Sequence, residues 1–301
     1  MRVVVGLILI GLLIFYVDGT MLISYLRNSQ QQWLFATASF ILCSTIIGGY
    51  NLYILLDRYE DISFYRFIRG YWVAWAVGLV VPGQVGDVAS ISIWLKHHGF
   101  QWYAGIGCTL LDKFISLIWM CGLGLSGFVL YFSASYEDGY VISLVISGIA
   151  FVLLLLLLLL FFRWHGNSKY DSAVIQTLQV ITATIRHHKK QVIYNFIFTG
   201  IKVFLIGAAF WSAFFSMGYH GLDITILIPL VAASSLVAYI PISLNGMGTV
   251  ELAALGLFSV LDVPNAAILS VFLTMRITVL LLAWVPVSLF MVFSGGASTS
   301  Q

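Results

Sequence analysis

The sequence is poor in charge. Only 9% of its 301 residues are Asp, Glu, Lys or Arg, against about 25% in a soluble domain. That shortage excludes a water-soluble enzyme. The formal net charge is +2, too small to argue for a nucleic-acid partner. Cysteine is scarce as well: Cys43, Cys108 and Cys121 each sit in an apolar stretch. Their odd number and their spacing fit no zinc or redox pattern, so no metal and no cofactor is expected. Gly-x-Ser-x-Gly, His-Glu-x-x-His and any histidine inside an apolar run are missing too. Their lack argues against an enzyme.

What the chain has in abundance is apolar residues, 61% of the total, with a mean hydropathy of +1.01. Long apolar runs over roughly 3–17, 33–56, 103–132, 139–162, 191–217 and 266–292 predict about six full transmembrane helices. The first, after Arg2, has the make-up of a signal peptide. No small-x-small cleavage site precedes Asp18, Gly19 and Thr20, so it reads as a retained span. The fold class expected is an all-α polytopic membrane protein, one integral domain over 1–301.

Two further apolar runs are broken in the middle. Gly70 to Val81 leads into Pro82-Gly83-Gln84-Val85-Gly86-Asp87 and then Val88 to Leu95. Ile224 to Ile240 leads into Pro241-Ile242-Ser243-Leu244-Asn245-Gly246-Met247-Gly248 and then Thr249 to Leu261. The arms after the breaks rise only about 12 Å and about 20 Å, short of a hydrocarbon core about 30 Å thick. They predict two re-entrant helical hairpins.

Basic residues orient the chain. With the N-terminus cytoplasmic, Arg2, Arg58, Arg66, Arg69, Lys96, Arg163, Lys169, Arg186, Lys189 and Lys190 fall inside, and Arg27 alone falls outside. The positive-inside rule is satisfied, in a cytoplasmic (inner) membrane with both termini cytoplasmic. The alternative is that 62–81 crosses as an ordinary span. It would put the Arg186/Lys189/Lys190 loop outside and the acidic Glu137-Asp138 loop inside. Within the 163–190 connection, Asp171 to Arg186 reads as an amphipathic interfacial helix. His97-His98 and His187-His188 fall in cytoplasmic loops without metal-like partners.

The hairpins enter from opposite sides under this topology. Each is followed by a span with a buried cation: Lys113 lies 26 residues after Asp87, and Arg276 lies 25 residues after Glu251. This predicts an inverted repeat of halves about 33–135 and 190–292, whose broken helices meet near the midplane.

Six ionisable residues fall within apolar segments: Asp87, Asp112, Lys113, Lys202, Glu251 and Arg276. Each costs at least about 2.5 kcal/mol at the bilayer centre, so each is a functional candidate. One reading is a midplane pocket for an anionic headgroup. Lys113, Lys202 and Arg276 supply charge, and the helix starts at Val88 and Thr249 supply free backbone N–H groups. The other is three ion pairs that hold hairpins to spans. Asp112 and Lys113, being adjacent, point about 100° apart on a helix, so at most one is expected to face the hairpin.

Pro82-Gly83-Gln84-Val85-Gly86-Asp87 resembles the P-G-x-x-G-E element of the transmembrane module of lysylphosphatidylglycerol synthases. Pro241, Asn245, Gly246, Gly248 and Glu251, with Arg276 after them, resemble its second element, P-x-x-G-G-x-G-x-x-E … R. Asp87 stands where the family has Glu, and Asp112-Lys113 where it often has Glu-Arg. The resemblance implies movement of an anionic phospholipid or polyprenyl-phosphate-linked lipid between leaflets, so membrane lipids are the expected partners. It implies no lysyl transfer, which belongs to a soluble domain not seen in these residues. A homo-oligomer is compatible with this reading. An ion-coupled transporter of a small soluble anion is the alternative. An accessory subunit without transport activity also stays open.

Overall fold

The computed structural model describes residues 2–56, 62–81, 86–135, 173–240, 243–261 and 263–295. Every regular element among them is helical, as a bilayer requires of a backbone with no water to satisfy it. The helices are α1 (Arg2–Tyr16), α2 (Gly19–Arg27), α3 (Gln31–Leu55), α4 (Phe64–Val80), α5 (Gly86–His97) and α6 (Trp102–Ser135). They continue with α7 (Ala173–His187), α8 (Lys189–Ser216), α9 (Ile224–Leu236), α10 (Thr249–Leu257) and α11 (Asn265–Gly295). Four of them, α3, α6, α8 and α11, are long and apolar enough to cross a membrane. The chain is an integral membrane protein. Many large apolar side chains point outward, among them Leu7, Phe15, Phe35, Ile197 and Leu281. The span expected over 139–162, the acidic loop after α6 and the start of the 163–190 connection lie outside the described residues.

The first expected span differs. Helix α1 has 15 residues, about 22 Å, and the chain then turns by 96° into α2. Asp18 makes the turn. Its carboxylate accepts from the Thr20 hydroxyl at 2.6 Å and backbone N–H at 2.9 Å, so a new helix starts there. Those hydrogen bonds, with a third from Met21, hold the Asp18 carboxyl below its usual range. Asp223 starts α9 in the same way, and its bonds from Thr225 lower its carboxyl likewise.

Both broken runs are helix–break–helix pairs. α4 packs on α5, and α9 packs on α10. No arm exceeds 17 residues, about 25 Å, so none spans the core alone. Short 3-10 turns at Val237–Tyr239 and Leu244–Gly246 carry the chain through the second break.

The packing maps onto itself when the halves are exchanged. Let α3, α4, α5 and α6 correspond to α8, α9, α10 and α11. Then α6 against α9 matches α11 against α4, α5 against α6 matches α10 against α11, and α3 against α4 matches α8 against α9. The exchanged pair α3 and α8 form the most extensive interface. Small and polar residues let their backbones approach. Thr37 and Ser212 hydroxyls lie 2.8 Å apart, and the Asn51 amide donates to Thr199 at 3.0 Å. Gly124 and Gly127 of α6 do the same for α9: a side chain at Gly127 would strike the Pro229 carbonyl.

Candidate functional site

The six charges of the apolar segments form three ion pairs, one of which could not be read from spacing. Asp87, the second residue of α5, meets Lys113 of α6 at 2.7 Å. Glu251, in the first turn of α10, pairs with Arg276 of α11. Lys202 of α8 faces Asp112 of α6 at 3.9 Å. Asp112 and Lys113 therefore serve different partners, as adjacent helical positions must. Only Lys113 faces the first hairpin.

The first and third pairs share a cavity of about 340 Å³. Asp87, Asp112, Lys113, Ser116 and Lys202 supply its polar wall, with Tyr71 and Tyr239 beside them. Tyr239 ends the first arm of the second hairpin and Asp87 begins the second arm of the first, so parts of both hairpin tips line one space. Lys202 is loosely held there. Its ammonium donates to the Ser116 hydroxyl at 3.1 Å, and among the described residues its ionic partner is the distant Asp112 carboxylate. Asp112 is kept in place by the Asn195 amide, which donates to it at 2.9 Å and to the Asn51 carbonyl at 3.1 Å. The Lys113 and Asp87 side chains remain 24% and 32% exposed, so this pair is open to the cavity.

Arg276 is elsewhere. It does not line the cavity of Lys113 and Lys202, contrary to the expected three-cation pocket. Its guanidinium donates to both Glu251 oxygens, to the Gly246 carbonyl at 2.9 Å and to the Asn245 carbonyl at 3.4 Å. Glu251 is 1% exposed, and its second oxygen accepts the Gly248 N–H at 2.7 Å. The forked guanidinium of arginine lets one side chain satisfy a buried carboxylate and two loop carbonyls together. The break needs such a clamp. Asn245 has φ +46° and Gly248 φ +81°, and a side chain at Gly248 would strike Leu9 of α1.

The helix starts carry acids of their own. The Val88 N–H donates to Asp87 at 2.9 Å, and Glu251 accepts the Gly248 N–H just before α10 at 2.7 Å, while the Ser243 and Thr249 hydroxyls lie 3.1 Å apart. Gly86 works by packing, since a side chain there would meet Val81. Pro82, Gly83 and Pro241 lie outside the described residues. Sequence reasoning missed Ser116, Asn195, Tyr71 and Tyr239. Ser116 lies three and four residues beyond the Asp112-Lys113 pair, and Asn195 seven before Lys202. Helical periodicity alone would have placed them on those faces.

A second, smaller cavity of about 240 Å³ lies beside the first and shares Ile206, Ser235 and Val279 with it. Leu79 from the first broken pair and Asn245 and Met247 from the second line it, with Glu251 and Arg276 also on its wall, and Phe210, Phe272, Met275 and Leu280 make the rest mostly apolar.

Comparison with curated proteins gives no match. The family model described as Lysylphosphatidylglycerol synthase TM region matches residues 3–286, which include both hairpins and all six buried charges. The chain belongs to the lysylphosphatidylglycerol synthase TM region family.

Proposed function

We propose that this protein is a lipid translocator, not an enzyme, and that it carries an anionic phospholipid or polyprenyl-phosphate-linked lipid between leaflets. The observation that carries the reading is the central cavity, where two cations, Lys113 and Lys202, stand on partly engaged contacts at a meeting of both hairpin tips. About 340 Å³ is at the low end of ligand-pocket volumes. It suits a headgroup, not a whole two-chain lipid. The adjoining apolar cavity gives the first part of a hydrocarbon chain a place to lie while the rest stays in the bilayer.

An entering phosphate takes Lys202 from Ser116 and Lys113 from Asp87, so its charge is met by charge-assisted hydrogen bonds from two ammonium groups. The displaced Asp87 keeps its backbone partner at Val88. The matched packing of the halves supports an inverted repeat with two oppositely facing re-entrant hairpins, rocked between inward- and outward-open states. Segments expected on one side also lie together. Tyr25 of α2 meets Tyr219 before α9 at 2.9 Å, both outside in the charge-based topology. His98 shares a chamber with His187 and His188, all inside. Both groupings agree with the sidedness of the charge-based topology, on which cytoplasmic termini in an inner membrane rest.

The test is transport in proteoliposomes loaded with labelled phosphatidylglycerol, phosphatidylcholine or a soluble anion. Movement of the anionic lipid ahead of the zwitterionic one is expected. No lipid movement by protein verified as folded would refute the reading, and uptake of the soluble anion alone would favour an ion-coupled transporter.

A further inference from the structure

The wall of the central cavity carries six hydroxyl side chains, and they divide into two sets. Three are engaged. Ser44 donates to the Lys202 carbonyl at 3.2 Å, Thr45 donates to the Ile41 carbonyl at 2.9 Å, and Ser116 accepts from the Lys202 ammonium. The other three, Tyr71, Ser235 and Tyr239, have no hydrogen-bond partner among the described residues. Ser235 borders the apolar cavity as well, so the two phenols are the ones left to a headgroup.

The fold holds the first phenol in place. Tyr71 of α4 rests against α3 where two glycines leave room. A side chain at Gly49 would come within 3.0 Å of the ring, and one at Gly48 would come within 2.7 Å of the hydroxyl and 3.5 Å of the Lys202 stem. The hydroxyl therefore stands beside Lys202. The ring also stacks on Phe67, with centroids 6.3 Å apart. Tyr239 comes from the other half. It ends the Val237–Tyr239 turn at the close of the first arm of the second broken pair and is 38% exposed. Both phenols lie within electrostatic reach of Asp87 and Asp112.

These groups set a condition on the ligand. A molecule that displaces water from polar groups loses affinity unless it replaces the bonds that the water made. A phosphate engages the two ammonium groups and leaves the phenols and the carboxylates of Asp87 and Asp112 to the rest of the headgroup. A carboxylate only accepts, whereas a hydroxyl both donates and accepts. One ligand hydroxyl can therefore give its hydrogen to a carboxylate and take another from a phenol. An ammonium only donates and cannot take a phenol's hydrogen, and a methyl group does neither.

We infer that Tyr71 and Tyr239 are the specificity-determining residues of the central cavity, and that they select a phosphodiester whose headgroup carries free hydroxyls, of the glycerol type, over one of equal charge that lacks them. That the phosphodiester is a lipid rests on the translocation reading; the preference for hydroxyls does not. A site built to hydrogen-bond a ligand's hydroxyl rejects the analogue without it, because its own polar groups are then left unpaired. Each half of the molecule supplies one of the two phenols, so the choice is made where the broken pairs meet.

The experiment compares dihexanoyl-phosphatidylglycerol with dihexanoyl-phosphatidylmethanol, which has the same charge and no headgroup hydroxyl. Binding to the full-length protein in nanodiscs is measured by calorimetry. Phosphatidylglycerol is expected to bind about tenfold more tightly. The double variant Tyr71→Phe, Tyr239→Phe keeps both rings and the packing on Phe67. It is expected to bring the two lipids within about twofold of each other, chiefly by weakening phosphatidylglycerol. Glycerophosphoglycerol, the same headgroup without acyl chains, is the third ligand. Tighter binding of the lipid assigns the hydroxyl site to a membrane headgroup; tighter binding of the deacylated form assigns it to a soluble phosphodiester. Both support the selection. Equal affinity for the two lipids in the parent protein, a preference that survives in the double variant, an equal loss for both lipids, or binding of neither overturns it. Lack of lipid transport in proteoliposomes, with the tyrosine-dependent preference intact, would refute the translocator and leave the selection standing.

Discussion

The two halves of the molecule place the same elements, an acid at a helix restart and a base one span later, in different surroundings. In the second half the pair is closed. Glu251 is almost wholly buried, and Arg276 spends its donors on that carboxylate and on two carbonyls of the break. In the first half the pair is open. Asp87 and Lys113 share a short contact on the wall of a cavity, next to a Lys202 that has no short ionic partner among the described residues. Equal charge patterns therefore do not mean equal roles. A cation with four donors engaged holds a fold together, whereas one with donors to spare in a cavity is available to a ligand.

Substitutions can break this contrast. The largest effect is expected for Arg276→Met, which leaves Glu251 as an uncompensated buried carboxylate. Loss of one partner of such a pair costs about 3–5 kcal/mol, to be read as lowered unfolding temperature and resistance to SDS. The double variant with Glu251→Gln should recover part of the loss, because the charge is gone and glutamine still accepts the Gly248 N–H. Gly248→Ala comes next. It forces a Cβ onto a left-handed backbone and into Leu9, for a cost of about 2 kcal/mol measured the same way. If both variants are as stable as the parent, the second half is no clamp.

Lys202→Met should reverse the pattern. Asp112 retains Asn195, so the stability loss is about 1–2 kcal/mol, while anionic lipid transport falls by about tenfold or more, since a charged hydrogen bond of up to about 3 kcal/mol is removed. Asp87→Asn is expected to be mildest for stability, within about 1 kcal/mol, because the pair is partly exposed and asparagine still serves at a helix start. Its transport defect would sharpen the contrast further, since Lys113 loses the carboxylate to which it returns.

Much of this was legible in the sequence because charge is so rare in it. Six ionisable residues among apolar runs mark themselves, and the nearly equal spacing of Asp87 to Lys113 and Glu251 to Arg276 anticipates two of the three pairs. The breaks at Gly86 and Gly248 announced two interrupted helix pairs. The division of labour was not legible. Whether Arg276 turns toward a cavity or back onto Asn245 and Gly246 depends on a loop shape set by left-handed residues. Asn195 and Ser116 carried little signal, because neutral polar residues are ordinary in membrane helices, and only packing brings them to Asp112 and Lys202. The bend at Asp18 was missed because hydropathy ignores capping. The meeting of Tyr71 and Tyr239 in one cavity was invisible for a different reason: they come from segments that only the fold brings together.

The central claim is that an anionic headgroup sits between Lys113 and Lys202. The most direct measurement is a structure of the protein in nanodiscs that contain phosphatidylglycerol. Phosphate density within hydrogen-bonding distance of both ammonium groups, with Arg276 still on Glu251, is the predicted result. Lipid density confined to the outer surface, with both lysines on Asp87 and Asp112, would contradict it.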